Sequence, residues 1–383
     1  MPSFNSQFID EAVVSVLAQT LQDWELIIAD CSTNPDVLSV LETFDDPRIK
    51  LYRREKRYLP GNNRNFAIEK AQTGFILCLD ADDLIQPSFI EEALFLIHTT
   101  EYDLIGTSCV TFKDVSQQHL LNPHPSIDQV ADGGAFVVST LFPKALWEKL
   151  GGFKDTGLGP SHVPEDWDFF VRAMLAGAKP YNRPGFGFTY RRHAQSLTMQ
   201  PDLPKFSEMR CRIKAKYRLP LLINKLFKQG SAATKKRTVD GWHPLIPALH
   251  KEESSIIVWP DANTAEFMER IAEVLGRAEK RTIIVCTQPK HLSPSSSSAF
   301  WQQHSSDIFF LPDFLESKDL WLSFIRYLIE AKHASDIYYS QNLFFLDSVE
   351  TLIDLYPQCR FEYVSKFKNN PADSAAPITQ VQV

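Results

Sequence analysis

The sequence predicts an α/β protein of two domains, and three observations carry that prediction. Short apolar runs at 24–29, 75–79, 256–259 and 282–286 are too brief for buried helices and read as strands covered on both faces. Apolar residues at helical spacing lie between them, which favours mostly parallel sheets with helices packed on both faces. The alternation lapses over a polar stretch and then resumes. One domain therefore spans 1–222, a linker 223–253, a smaller Rossmann-like α/β domain 254–368, and a disordered Pro- and Gln-containing tail 369–383.

In the first domain Phe8, Ala12, Val13, Val16 and Leu17 form a helical stripe, and the strand at 24–29 ends in Asp30. Val37, Leu38, Leu41 and Phe44 mark a second helix, and 49–52 a short strand. Residues 61–71 read as a third helix with Phe66, Ala67 and Ile68 inward. The strand 75–79 follows, then a helix at 89–97 and a strand near 104–112. Residues 113–132 are polar and read as a surface loop, 135–141 as a strand, and 143–150 as a short helix ending at Gly151-Gly152-Phe153. Turn formers fill 154–163. Pro164 then opens a helix carrying Phe169, Phe170, Ala173 and Met174 inward, and 190–220 is basic with helical or irregular segments. Residues 1–5 read as the loop after a first strand, so a start internal to a longer reading frame is expected.

The second domain repeats the pattern, with strands at 256–259, 282–286, 308–311, 336–339 and 360–364. Helices are expected at 264–275, 320–331 and 348–355, and a Ser-rich loop at 293–298. No catalytic constellation stands out there.

Asp80, Asp82 and Asp83 crowd the point where the strand at 75–79 reaches the rim of its sheet, the end of an open α/β sheet at which ligands bind. Adjacent carboxylates repel unless a cation sits among them, and hard oxygen donors suit Mg²⁺ or Mn²⁺. The plainer reading is a solvated acidic turn. Glu165 and Asp166 at the start of a helix likewise read either as site residues or as helix caps.

A net charge of −7 and the lack of a long Lys/Arg block argue against a nucleic-acid partner. Six cysteines without paired spacing indicate neither a zinc site nor a disulfide framework, which suits a reducing cytoplasm. No run reaches the length of a membrane span and no signal peptide is visible. A cytoplasmic protein is expected, with peripheral association at the inner face of the membrane left open.

Taken in order, these residues resemble a family 2 glycosyltransferase with the GT-A fold, over about 1–200. The resemblance rests on Pro-Ser-Phe-Asn at 2–5 and on Leu17-Ala18-Gln19-Thr20 before the strand ending in Asp30. It continues with Arg64-Asn65, Ala71, Gly74, Leu79-Asp80-Ala81-Asp82-Asp83, Gly151-Gly152-Phe153 and Glu165-Asp166. It implies inverting transfer of a sugar from a nucleotide diphosphate donor to a glycan or lipid-linked acceptor, in surface polysaccharide synthesis. It implies donor contacts from Pro2, Ser3, Asn5, Asp30 and Asp80, and a metal held by Asp82 with Asp80 or Asp83. Asp166 is then the general base and Glu165 orients the acceptor or the base. Arg64, Arg191 or Arg192 offers bidentate contacts to phosphate, the last two reading equally as surface charge. His193 reads either as a metal ligand or as a structural histidine.

One departure matters. The family places two acids after the second strand, whereas this chain has Asp30-Cys31, and a thiol does not accept a base N–H as a carboxylate does. Donor identity is therefore open. Residues 254–365 resemble, more loosely, the N-terminal lobe of a GT-B glycosyltransferase without its nucleotide-binding partner lobe. They read as an inactive remnant, an acceptor-docking domain or part of a longer bifunctional enzyme. Two rival functions remain: a nucleotide-sugar-binding scaffold that has lost catalysis, and a nucleotidyltransferase, which would want a Gly-rich basic loop that 1–20 lacks.

Overall fold

Buried aliphatic runs set the strands of both units into which the chain divides, Met1–Trp242 and His243–Val383. The computed structural model describes residues 1–113, 117–157, 159, 161–193, 196, 203–227, 253–259, 280–289, 305, 307–340 and 342–364. The expected helix at 264–275, the Ser-rich loop, most of the linker and the tail lie outside the described residues.

The first unit begins with β1 (Pro2–Ser3), α1 (Ile9–Leu17), β2 (Leu26–Asp30), α2 (Pro35–Glu42), β3 (Ile49–Arg53), α3 (Pro60–Lys70) and β4 (Phe75–Leu77). It continues with β5 (Leu84–Ile85), α4 (Phe89–Thr99), β6 (Leu104–Lys113), β7 (Gln117–His119), α5 (Ile127–Asp132) and β8 (Leu141–Pro143). It ends with α6 (Lys144–Leu150), α7 (Glu165–Leu175), β9 (Pro180–Arg192), α8 (Phe206–Lys216) and α9 (Arg218–Phe227). β1, β2 and β3 form a parallel sheet in that order, and β2 is buried at every position, as its unbroken apolar run requires. A second sheet runs β4-β8-β6-β9-β5, with β7 on β6. Only β6 and β9 pair in parallel within it; its other pairs are antiparallel.

Four sequence expectations change. Pro2 and Ser3, read as loop, are strand: they pair with Ala29 and Asp30, and the Met1 ammonium donates to Ile27 O at 2.8 Å. The polar stretch 113–132 contains β7 and α5, the latter opened by a reciprocal Ser126/Gln129 capping box. The strand expected at 135–141 is shorter and later, because Gly133 and Gly134 turn the chain with φ of 88° and 70°. The Asn182 side chain, rather than a ladder, then takes the Ala135 carbonyl at 2.9 Å. The long strand β9 was hidden by Pro184 and Gly185. The β6–β9 register steps from Thr107↔Arg183 to Ser108↔Phe186, so those residues form a bulge and the strand continues past them.

The second unit contains β10 (Ser254–Trp259), β11 (Arg281–Cys286), β12 (Asp307–Phe310), α10 (Lys318–Ala331), β13 (Ala334–Tyr339), α11 (Leu343–Leu355) and β14 (Arg360–Tyr363). Its sheet is wholly parallel in the order β12-β11-β10-β13-β14, with Ile256, Ile284, Val285, Phe309 and Ile337 fully buried. Among the described residues no helix is long and apolar enough to cross a membrane.

Candidate active site

Leaving β4, the chain buries Cys78 and Leu79 and then turns through Asp80, Ala81, Asp82 and Asp83. Two separate segments and one internal bond hold that turn. Ser6 Oγ donates to Ala81 O at 2.7 Å, Arg191 Nε donates to Asp82 O at 2.7 Å, and Asp83 N closes back on Asp80 O at 3.2 Å. Asp83 points inward at 1% exposure and accepts the Arg191 backbone N–H at 2.8 Å. Burial, then the charges of Asp82 and Asp80, push its carboxyl well above the ordinary range. Asp83 thus anchors the end of β9 and is closed to solvent.

Asp80 and Asp82 remain 31% and 29% exposed, and His193 Nε2 lies 3.0 Å from Asp82 Oδ2. Burial and Asp80 raise the Asp82 carboxyl, with His193 opposing them. Among the described residues no three His, Cys, Asp or Glu side chains converge as a ready-made metal site. The donors instead fit a hard divalent ion held by one or two carboxylates and completed by phosphate oxygens and water.

Arg191 and Arg64 are placed differently from their expected role. The Arg191 side chain is fully buried between the rings of Phe8 and Phe112 and donates to Glu11 at 2.6 Å, so it braces α1 against β9 instead of facing a phosphate. Arg192 is half-buried at the last position of β9. Arg64, 4% exposed on α3, donates to Asp80 at 2.6 Å with one nitrogen and pairs with Glu165 through the other. One guanidinium thereby joins the acidic turn after β4 to the first turn of α7. The planar fork of arginine suits this bridge, which a lysine point charge would not make.

Neighbouring contacts lock the bridge. Gly61 lets Asp155 and Glu165 close on α3, since a Cβ there would stand 2.6 Å from Asp155 Oδ1 and 2.8 Å from Glu165 Cγ. Asp155 accepts the Gly61 N–H at 3.1 Å and so caps α3 from a distance. Burial and Glu165 raise its carboxyl. Asn65 Oδ1 accepts from Trp147 Nε1 at 2.9 Å and Phe153 N at 2.8 Å, while its amide donates to Phe153 O. This fastens the Gly151-Gly152-Phe153 turn to α3. Arg172 donates to Leu150 O and Gly152 O, and Asp168 joins α7 to Lys216 and Tyr217.

Asp166 follows Glu165 at the tip of α7, where its Oδ1 accepts the Trp167 N–H at 2.7 Å. Asp166 lines a cavity of about 160 Å³ with Val130, Gly134, Phe136, Pro164, Trp167, Phe170 and Phe206. A helix tip alone favours the ionised form. Burial, and after it the Glu165 charge, outweigh that effect and the opposing pull of Arg64, and raise Asp166 to about 6. The result is a carboxylate poised near neutral pH beside an aromatic-walled hollow, Trp167 and Phe206 being stacked at 5.2 Å.

The residues expected at the nucleotide lie at the carboxyl ends of β1 and β2. Ser3 pairs in register with Asp30 and is buried; Pro2 precedes it. Asp30 is fully buried, accepts Ser32 Oγ at 2.6 Å and pairs with Arg53. Asn5, at φ 51°, accepts the Thr33 and Asn34 N–H groups at 2.8 and 2.9 Å and so ties the two loops together. Cys31 is buried against Asn63, whose amide lies 3.3 Å from its sulfur. Ser6, Asn63, Asp155 and Phe206 escaped the sequence reading. Each acts across 32 or more residues of separation or from an unpatterned loop, and no local motif marks it.

Comparison with known proteins bears on the same segment. Residues 1–158 match the family described as Glycosyl transferase family 2. An uncharacterized glycosyltransferase of Haemophilus influenzae is 27% identical over 180 residues, 45% of this chain and 70% of that protein. The UDP-Glc:alpha-D-GlcNAc-diphosphoundecaprenol beta-1,3-glucosyltransferase WfgD of Escherichia coli is 29% identical over 128 residues, 31% of this chain and 51% of that protein. The chain spans between 17% and 70% of the lengths of these and similar curated relatives. The crystal structure of S. aureus TarS 1–349 with UDP-GlcNAc aligns over 61% of this chain and 66% of its own at 18% identity and a TM-score of 0.47. Residues 1–158 of this chain are therefore similar to glycosyltransferase family 2 domains.

Proposed function

We propose that the first unit transfers a sugar from a nucleotide diphosphate donor to a hydroxyl of a glycan or lipid-linked acceptor, with inversion at the anomeric carbon. The observation that carries this reading is Arg64, which holds Asp80 and Glu165 together and so gives the acidic turn and the tip of α7 a common site. Asp166 takes the proton of the acceptor hydroxyl as that oxygen attacks. A carboxylate with a pKa of about 6 suits the task, being ionised at neutral pH yet more basic than an ordinary aspartate. Glu165, fixed by Arg64, positions the base. The aromatic wall of the cavity receives the acceptor ring and keeps water from the attacking face. Direct attack by the acceptor oxygen, with the nucleoside diphosphate leaving from the opposite face and no covalent enzyme intermediate, accounts for inversion.

Asp82 and Asp80 would hold Mg²⁺ or Mn²⁺, with His193 oriented through Asp82; such an ion neutralises the charge of the departing diphosphate. Asp30, Ser3 and the Asn5-tied loops form the nucleoside side. With Cys31 turned onto Asn63, base recognition falls to Asp30 and to backbone groups. The acceptor in the name of the Escherichia coli relative, a diphosphoundecaprenol-linked sugar, supports a lipid-linked acceptor and a role in surface polysaccharide assembly.

The test is release of nucleoside diphosphate from a panel of UDP-, GDP- and dTDP-sugars with Mn²⁺ or Mg²⁺, repeated in EDTA. Metal-dependent diphosphate release is expected, and Asp82→Asn should weaken metal-dependent donor binding. Monophosphate or pyrophosphate would point to nucleotidyl transfer, and donor binding without turnover to a scaffold.

A further inference from the structure

α9 has two apolar faces where a domain-closing helix needs one. Leu221, with the adjacent Tyr217, packs into the core that α7 builds. On the opposite side Leu219, Leu222 and Ile223, at the i, i+3, i+4 spacing of one helical stripe, are 65%, 51% and 47% exposed. An apolar ridge of this kind in water calls for a covering surface.

Charge indicates which surface. Between 205 and 225 the sequence has seven basic residues and one acid, in a chain whose net charge is −7. Lys214 and Lys216 are held by Asp132 and Asp168, each at 2.5 Å, whereas Arg218 and Lys225 are exposed. At about 100° per residue those two share the flank next to Leu222. A second copy of this chain would bring the same cations against themselves, which disfavours self-association through the ridge. An anionic bilayer satisfies both features, since its acyl boundary takes the Leu and Ile side chains and its headgroups take the cations.

We propose that α9 seats this chain on the surface of an anionic lipid bilayer. The remaining acidic surface is repelled by the same headgroups, so the charge asymmetry also orients the molecule. α8 runs from Phe206 at the Asp166 cavity to the start of α9, about 16 Å at helical rise. The seated helix therefore lies one short helix away from the proposed acceptor hollow. The proposal rests on the helix and its charges and stands independently of sugar transfer.

The test is co-sedimentation of the full chain with phosphatidylglycerol or phosphatidylcholine vesicles at low and high salt. Binding to phosphatidylglycerol, weakened by salt, with little binding to phosphatidylcholine, is expected. Leu219→Gln/Leu222→Gln/Ile223→Gln should lower partitioning about tenfold or more. Arg218→Gln/Lys225→Gln should lower it about fivefold per charge at low salt. Both variants should keep the wild-type melting temperature and donor turnover, which separates this proposal from the transferase reading. Failure of the wild-type chain to bind phosphatidylglycerol, or undiminished binding by the triple variant, would overturn it. So would a dimer that the triple variant dissolves while vesicle binding stays absent.

Discussion

Arg64 and Asp166 make opposite demands on the same few ångströms. Removing the Arg64 guanidinium leaves Glu165 buried, and Asp80 partly so, without their shared counter-charge. Arg64→Ala should therefore cost about 3–5 kcal/mol, read as a fall in denaturant midpoint, and Arg64→Lys should recover only part of it. Asp166 is unfavourable when ionised. Its folded pKa is raised, so folding takes up a proton between the unfolded value of about 3.9 and about 6, and the ionised carboxylate destabilises the fold above that window. Asp166→Asn should stabilise the protein at pH 8 by about 1–2 kcal/mol after allowance for partial exposure, and by almost nothing at pH 4. The catalytic rate of the wild type should rise with pH through about 6, and a flat profile from pH 5 to 8 would count against Asp166 as the base. These two roles differ in how far the sequence revealed them. The acids at 80, 82, 165 and 166 stood out by type and spacing, but Arg64 looked like a phosphate ligand. Its engagement by two carboxylates 16 positions downstream and 101 positions downstream is a tertiary fact with no local signature.

At the scale of elements, the site depends on how α3, the Gly151-Gly152-Phe153 turn and α7 are fastened. Gly152 sits at φ 76°, and a Cβ there would stand 2.7 Å from Asn65 Oδ1. Gly152→Ala should accordingly cost about 1–3 kcal/mol and loosen the Asn65 clasp, lowering turnover with a smaller effect on donor affinity; urea denaturation beside steady-state kinetics separates the two effects. Helices with plain amphipathic spacing and strands with unbroken apolar runs were legible, because burial on one or both faces writes itself into the order of residues. β9 was not, since Pro184 and Gly185 imitate a loop while serving as the bulge of a strand. α5 was hidden for a related reason: its six residues are too few for a periodic stripe, and its only mark is the Ser126/Gln129 box.

At the scale of the molecule, all proposed donor, metal and base residues belong to the first unit, and the second has its own parallel sheet and core. Residues 1–242 expressed alone are expected to retain metal-dependent hydrolysis of the preferred nucleotide-sugar within about threefold of the full chain, allowing about 0.6 kcal/mol for altered transition-state binding. Loss of activity in a folded fragment would assign the second unit a direct part in the site. The most direct test of the central claim is single-turnover transfer by Asp166→Asn, measured beside donor affinity by calorimetry. Donor affinity within about twofold of wild type, with a transfer rate lower by about 10²–10⁴, is expected if Asp166 removes the acceptor proton. Transfer at the wild-type rate, or parallel loss of donor binding and rate, would contradict the account.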